Sequence, residues 1–93
     1  MSRGMANTVV ELAVVEYLCR YGSVGIFRLV DDVLKIPGVR KALGLNAPPA
    51  LGSDGLWRAY SVIIEVVRGL EAEGLAKYLP SVGVVNWTAG GCE

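Results

Sequence analysis

Histidine and glutamine are absent from this chain, cysteine occurs twice, and neither charge is in excess, with nine basic side chains against nine acidic ones in 93 residues. Without imidazole, the usual general base and the usual nitrogen ligand for zinc are missing. Cys19 and Cys92 do not have the spacing of a metal site, and no glycine-rich phosphate loop follows a strand: Gly22-Ser-Val-Gly25 has no Lys or Thr to handle phosphate. The one carboxylate doublet, Asp31-Asp32, would point about 100° apart on a helix, which suits ion pairing better than acid and base roles. No enzyme activity, metal or cofactor is therefore expected. Balanced charge excludes a general attraction to nucleic acid or anionic lipid, so any DNA binding must rest on a local patch. The longest apolar run, Val9 to Leu18, is broken by Glu11 and Glu16 and leads to no cleavage site, which argues against a membrane span and for a soluble, cytoplasmic protein. Cysteine spacing does not indicate a disulfide, and free thiols are expected. The lack of His and Gln beside many Val, Ala and Gly fits a thermophilic source.

What is present builds one domain. With 53% apolar side chains the chain can bury a single core and is too short for two. The domain is expected over residues 8–88, between a flexible N-terminus (1–7) and a flexible tail (89–93). Met5 is an alternative start that would remove Arg3. The first helix is expected from Thr8, where Thr8-Val-Val-Glu11 has capping-box spacing, to near Tyr21. Ser23 is expected to cap the second helix, with Ile26, Phe27, Val30, Val33 and Leu34 on its buried face and Arg28, Asp31, Asp32 and Lys35 outside. Two pairs on that outer face, Asp31 with Lys35 and Arg28 with Asp32, stand four residues apart. Pro37-Gly38 ends this helix. Val39 to Leu43 has room for one helical turn before Asn46-Ala-Pro-Pro, and carries the adjacent, exposed pair Arg40 and Lys41.

The third helix runs from Ser53 to Glu73. Leu56, Tyr60, Ile63, Ile64, Val67 and Leu70 form its apolar stripe, with Trp57 at the edge as a core-rim residue. Arg58, Ser61, Glu65, Arg68 and Ala72 line the opposite face, and Ser53 and Asp54 offer capping oxygens. After the stop at Gly74, alternation predicts a hairpin: Leu75 to Leu79, a Pro80-Ser81-Val82-Gly83 turn, then Val84 to Thr88. Trp87 and Tyr78 are expected to pack the sheet against the helices.

The closing string Arg68-Gly-Leu-Glu-Ala-Glu-Gly-Leu-Ala-Lys-Tyr, a long amphipathic helix that stops at glycine and hands over to a hairpin, resembles the winged helix-turn-helix family of small archaeal-type transcriptional regulators. The resemblance implies a mainly α fold of three helices plus a two-stranded wing, here with an extended connection between helices two and three. It also implies that the third helix enters the major groove of duplex DNA. Ser53, Asp54, Arg58 and Ser61 would then make base or phosphate contacts, Arg68 would lie on the same face, and Arg40, Lys41 and Lys77 would stand near the backbone.

The first helix is apolar on nearly all sides, so it must be covered on all sides. If the rest of the domain covers one flank, a second copy is expected to cover the other, through Val10, Val14, Tyr17, Leu18 and Tyr21. Two functions follow: a homodimeric transcriptional regulator that reads duplex DNA, or a winged-helix module that binds another protein and no DNA. A positive strip joining Arg40, Lys41, Arg58 and Arg68 would favour the first; neutralisation by Asp54 and Glu65 would favour the second.

Overall fold

The hub of the fold is α1 (Met5–Tyr21), which packs on α2 (Ile26–Val33), α3 (Pro37–Ala42) and α4 (Asp54–Ala72) and touches strands β1 (Ser23–Gly25) and β3 (Val84–Trp87). The structure, a computed structural model, describes residues 5–90, with side chains for residues 8–90. Within that range the chain is mixed α/β: four helices and one three-stranded antiparallel sheet, completed by β2 (Ala76–Leu79), in the order β1-β3-β2. β3 is the central strand; Val85 pairs with Val24 on one side and with Tyr78 on the other. The core fills the space between α1, α2, α4 and one face of the sheet. Val10, Val14, Leu18, Leu29, Val33, Ile63, Val67 and Val85 are all excluded from solvent there.

The sequence reading places three helices and two strands; the structure has one more of each. Pro37 accounts for the extra helix. It does end α2, but it also occupies the first position of α3, where its missing N–H costs nothing and its fixed φ is already helical. α3 stops at Gly44, whose φ of 76° suits the two closing bonds, Gly44 N–H to Lys41 O at 3.1 Å and Leu45 N–H to Arg40 O at 2.8 Å. The extra strand takes the residues expected to cap α2. Ser23 lies in β1, and its hydroxyl donates to Asn86 Oδ1 of β3 at 2.6 Å, while the N-cap of α2 is Gly25 with no side-chain bond.

α1 begins at Met5 rather than at Thr8, which lies inside the helix; residues 1–4, including Met1 and Arg3, and 91–93 lie outside the described residues. Its apolar girth has an internal explanation. α3 packs on it with Val39 fully buried, so the flank assigned to a second copy is covered by this chain. Val10, Val14 and Leu18 are completely buried in the single chain and Tyr17 is half-buried; of the five residues expected to meet a second copy only Tyr21 is exposed.

α4 and the hairpin follow the expected pattern closely. Ser53 caps α4, its Oγ accepting the Leu56 N–H at 3.2 Å. At the other end Gly74 N–H reaches Glu71 O at 3.0 Å and Leu75 N–H reaches Leu70 O at 2.9 Å, a Schellman closure that aims the chain into β2. Tyr78 and Trp87 are half-buried against the core. Among the described residues no helix is long and apolar enough to cross a membrane.

Candidate functional site

α2 and the N-terminal half of α4 do not close on each other completely. Between them lies an open groove of about 400 Å³, lined by Phe27, Val30 and Asp31 from α2, Leu51 and Gly52 from the preceding loop, and Leu56, Trp57 and Tyr60 from α4. Its walls are aromatic. The Phe27 ring lies flat along Tyr60, with centroids 5.5 Å apart and planes inclined by 11°, and Trp57 meets Tyr60 edge-on at 6.0 Å. Three of the large apolar side chains here stand in solvent: Phe27 is 74% exposed, Trp57 62% and Leu51 95%. Single exposed apolar residues are ordinary, but three around one concavity form a patch of the kind that marks a binding surface.

Each wall has a local cause. α2 turns Ile26, Leu29, Val30 and Val33 inward, one position round from the expected face, so Leu29 takes the buried place and Phe27 swings outward. Both arcs fit helical spacing; the leucine at 29 was the signal that could have decided between them. Gly55 lets the loop lie against the first turn of α4, since a Cβ there would meet Leu45 Cδ2 at 3.1 Å and Pro49 Cβ at 3.6 Å. Leu51, in the same loop, stands at the lip of the groove. Trp57, expected at the core rim, projects outward. Burial, followed by the neighbouring Tyr78 hydroxyl, raises the Tyr60 phenol above its ordinary pKa, so its polar end is tied towards the sheet while its ring furnishes the groove.

The polar face of α4 is displayed as expected: Asp54, Arg58, Ser61, Glu65 and Arg68 are all exposed. Among the described residues Arg58 and Arg68 take part in no ion pair. The other basic residues do not join them in one cluster. Arg40 is half-buried and donates from Nη1 to Leu34 O at 2.8 Å, closing the end of α2, so it is a structural side chain rather than an exposed one. Lys41 is exposed on α3, which packs chiefly on α1, and Lys77 is exposed on β2. α4 itself carries two arginines against Asp54, Glu65 and Glu71.

A second, polar cluster ties α1 to α2. Tyr17 donates to Asp32 Oδ2 at 2.5 Å, and Asp32 also lies 3.3 Å from Lys35 Nζ and 3.6 Å from Arg28 Nε. Lys35 reaches Asp31 at 3.7 Å as well, so both pairs expected at four-residue spacing are formed. This network is fully engaged in holding helices together. Cys19 is disulfide-bonded, against the expectation of free thiols, and no free cysteine occurs among the described residues; Cys92 lies outside them. Nor is any group of His, Cys, Asp or Glu among the described residues placed to hold a metal ion.

No protein-family model matches the chain, and no curated protein or solved structure matches it.

Proposed function

We propose that this chain is a winged-helix interaction module that binds another polypeptide through the aromatic groove between α2 and α4. The order helix, strand, helices, strand, strand, with β1 added beside the hairpin, supports the winged-helix reading; α3 is an insertion in the connection ahead of α4. The observation that carries the functional reading is the exposure of Phe27, Leu51 and Trp57 around a single concavity. Aromatic anchors in a partly desolvated pocket, with charged residues at the rim, are what protein interfaces concentrate. Peptide display on the immobilised domain tests this: enriched sequences should carry apolar residues at helical spacing and lose binding to the Trp57→Ser variant. Failure to enrich, or enrichment indifferent to Trp57, contradicts the reading.

A second reading, duplex DNA binding for transcriptional control, is favoured by one observation: Arg58, Ser61 and Arg68 are exposed on one face of α4 with neither guanidinium in an ion pair among the described residues. It is opposed by Asp54 and Glu65 on that same face and by a hairpin whose one basic residue is Lys77. Phosphate contacts dominate DNA affinity and are lost steeply with salt. Fluorescence anisotropy with genomic duplexes at two salt concentrations decides it: salt-sensitive binding that Arg58→Ala weakens supports this reading, and no binding at low salt removes it.

A further inference from the structure

Resting on the reading of the groove as a polypeptide-binding surface, we infer that the segment it takes has a basic anchor: a lysine or arginine side chain of the partner lies along the aromatic wall and meets Asp31, with apolar residues on either side of it. Charge decides this. Of the eight described residues that line the groove, Asp31 alone carries a charge, and none is basic. The basic side chains nearest in sequence face elsewhere. Arg28 lines a separate cleft with Tyr17 and Asp32, and Arg58 belongs to the polar face of α4. The positive end of the α4 dipole, beside Gly52, is offset by Asp54 in the first turn.

The aromatic wall works in the same direction. Ring faces carry the negative part of the aromatic quadrupole, and a cation within about 6 Å of a ring centroid is drawn to it. Phe27 and Tyr60 lie nearly parallel and Trp57 stands at 88° to Tyr60, so rings in two orientations line one concavity. Phe27 and Trp57 are each more than half exposed. A lysine or arginine packs its aliphatic stem on apolar surface while its charged head stays in water. That division matches a groove with an apolar wall and a single carboxylate at its exposed edge.

Asp31 already has a partner in Lys35, and that pair is a weak competitor. Lys35 Nζ lies 3.7 Å from Asp31 Oδ2 but 3.3 Å from Asp32 Oδ1, and the side chains of Lys35 and Asp31 are 67% and 72% exposed. Exposed pairs of this kind contribute little. Asp31 Oδ1 makes no bond among the described residues. A partner cation backed by ring faces therefore takes Asp31 and leaves Lys35 on Asp32.

A random peptide library panned on the immobilised full chain, followed by fluorescence anisotropy with the enriched peptides, tests the inference. Enriched sequences should carry a lysine or arginine flanked by apolar residues. Replacing that residue by a neutral counterpart, citrulline for arginine or norleucine for lysine, should weaken binding by about tenfold. Asp31→Asn should weaken the basic peptide by about threefold and leave the neutral one unchanged, whereas Lys35→Met, which removes the competitor, should tighten the basic peptide by about twofold. Both substituted side chains are exposed, and circular dichroism checks that the fold is kept. Peptides that require Trp57 but have no basic residue, that tolerate the neutral counterpart, or that respond to Asp31→Asn equally in both forms overturn the basic anchor and leave the groove reading standing. If no peptide requires Trp57, the groove reading fails and the anchor with it.

Discussion

Tyr17 of α1 donates its phenol to Asp32 of α2 at 2.5 Å, and this bond sets the protonation behaviour of both groups. Burial first, and then the Asp32 carboxylate, push the Tyr17 phenol from 10.0 up to about 12. The Tyr17 bond is also the main cause holding the Asp32 carboxyl below its ordinary value, with Lys35 and Arg28 assisting. Tyr17→Phe keeps the ring and removes the bond, at an expected cost of about 1–2 kcal/mol.

The pH dependence carries the sign. In the unfolded chain Tyr17 ionises near pH 10, whereas the folded protein holds the proton longer, so its contribution is complete below about pH 10 and is lost as pH rises towards 12. For Asp32 the direction reverses: the contribution is present above the ordinary carboxyl value and is lost as pH falls through the depressed one. Denaturant midpoints of wild type and Tyr17→Phe, measured at acid, neutral and alkaline pH, should differ most near neutrality and converge at both extremes. A difference independent of pH would show that the bond contributes nothing beyond packing.

How far the sequence could be read depended on whether the deciding signal was local. Ser53, Gly74 and the Pro80 to Gly83 turn act on their immediate neighbours, so α4 and the hairpin could be placed almost to the residue. The ion pairs of α2 follow from spacing alone. Pro37 was ambiguous, since the same residue that stops one helix can begin the next. β1 carries almost no sequence signal; three residues become a strand because β3 already presents an edge to them. The groove depended on which of two overlapping arcs of α2 faces inward, and that is settled by packing between helices distant in sequence. For the same reason α1 looked like an interface: one flank of it is covered by α3, which the sequence offered only as a single helical turn over Val39 to Leu43.

Two glycines should respond in opposite directions to alanine. Gly74 has a φ of 78° and closes α4 through a Schellman turn, a conformation in which a Cβ is strained. Gly74→Ala should cost about 1 kcal/mol. Gly38 lies within α3, is not among the residues with positive φ, and has open space where a Cβ would be. Gly38→Ala should stabilise by roughly 0.5 kcal/mol, because it narrows the unfolded ensemble. Thermal melts of the two variants should bracket the wild type; a lower melting temperature for Gly38→Ala would mean that α3 is not helical in solution.

The Cys19 disulfide gives a chemical expectation. A bonded sulfur is not nucleophilic, so iodoacetamide should leave Cys19 unmodified in the native protein and alkylate it only after reduction and unfolding. Peptide mapping by mass spectrometry reads this directly. Alkylation of Cys19 without reductant would place the thiol in its free form.

Phe27 and Leu29, two residues apart on α2, separate binding surface from core. Leu29 is fully buried, so Leu29→Ala removes packed methyl groups and leaves a cavity, at an expected cost of about 2–5 kcal/mol. Phe27 is 74% exposed and its ring stacks on that of Tyr60. Phe27→Ala should therefore cost about 1 kcal/mol, in the range of one aromatic pair. If α2 instead turned its other arc inward, as spacing alone also allows, Phe27→Ala would be the more destabilising of the two. Urea unfolding of both variants distinguishes these outcomes, and the order of their midpoints fixes the orientation of α2 and with it the outer wall of the groove.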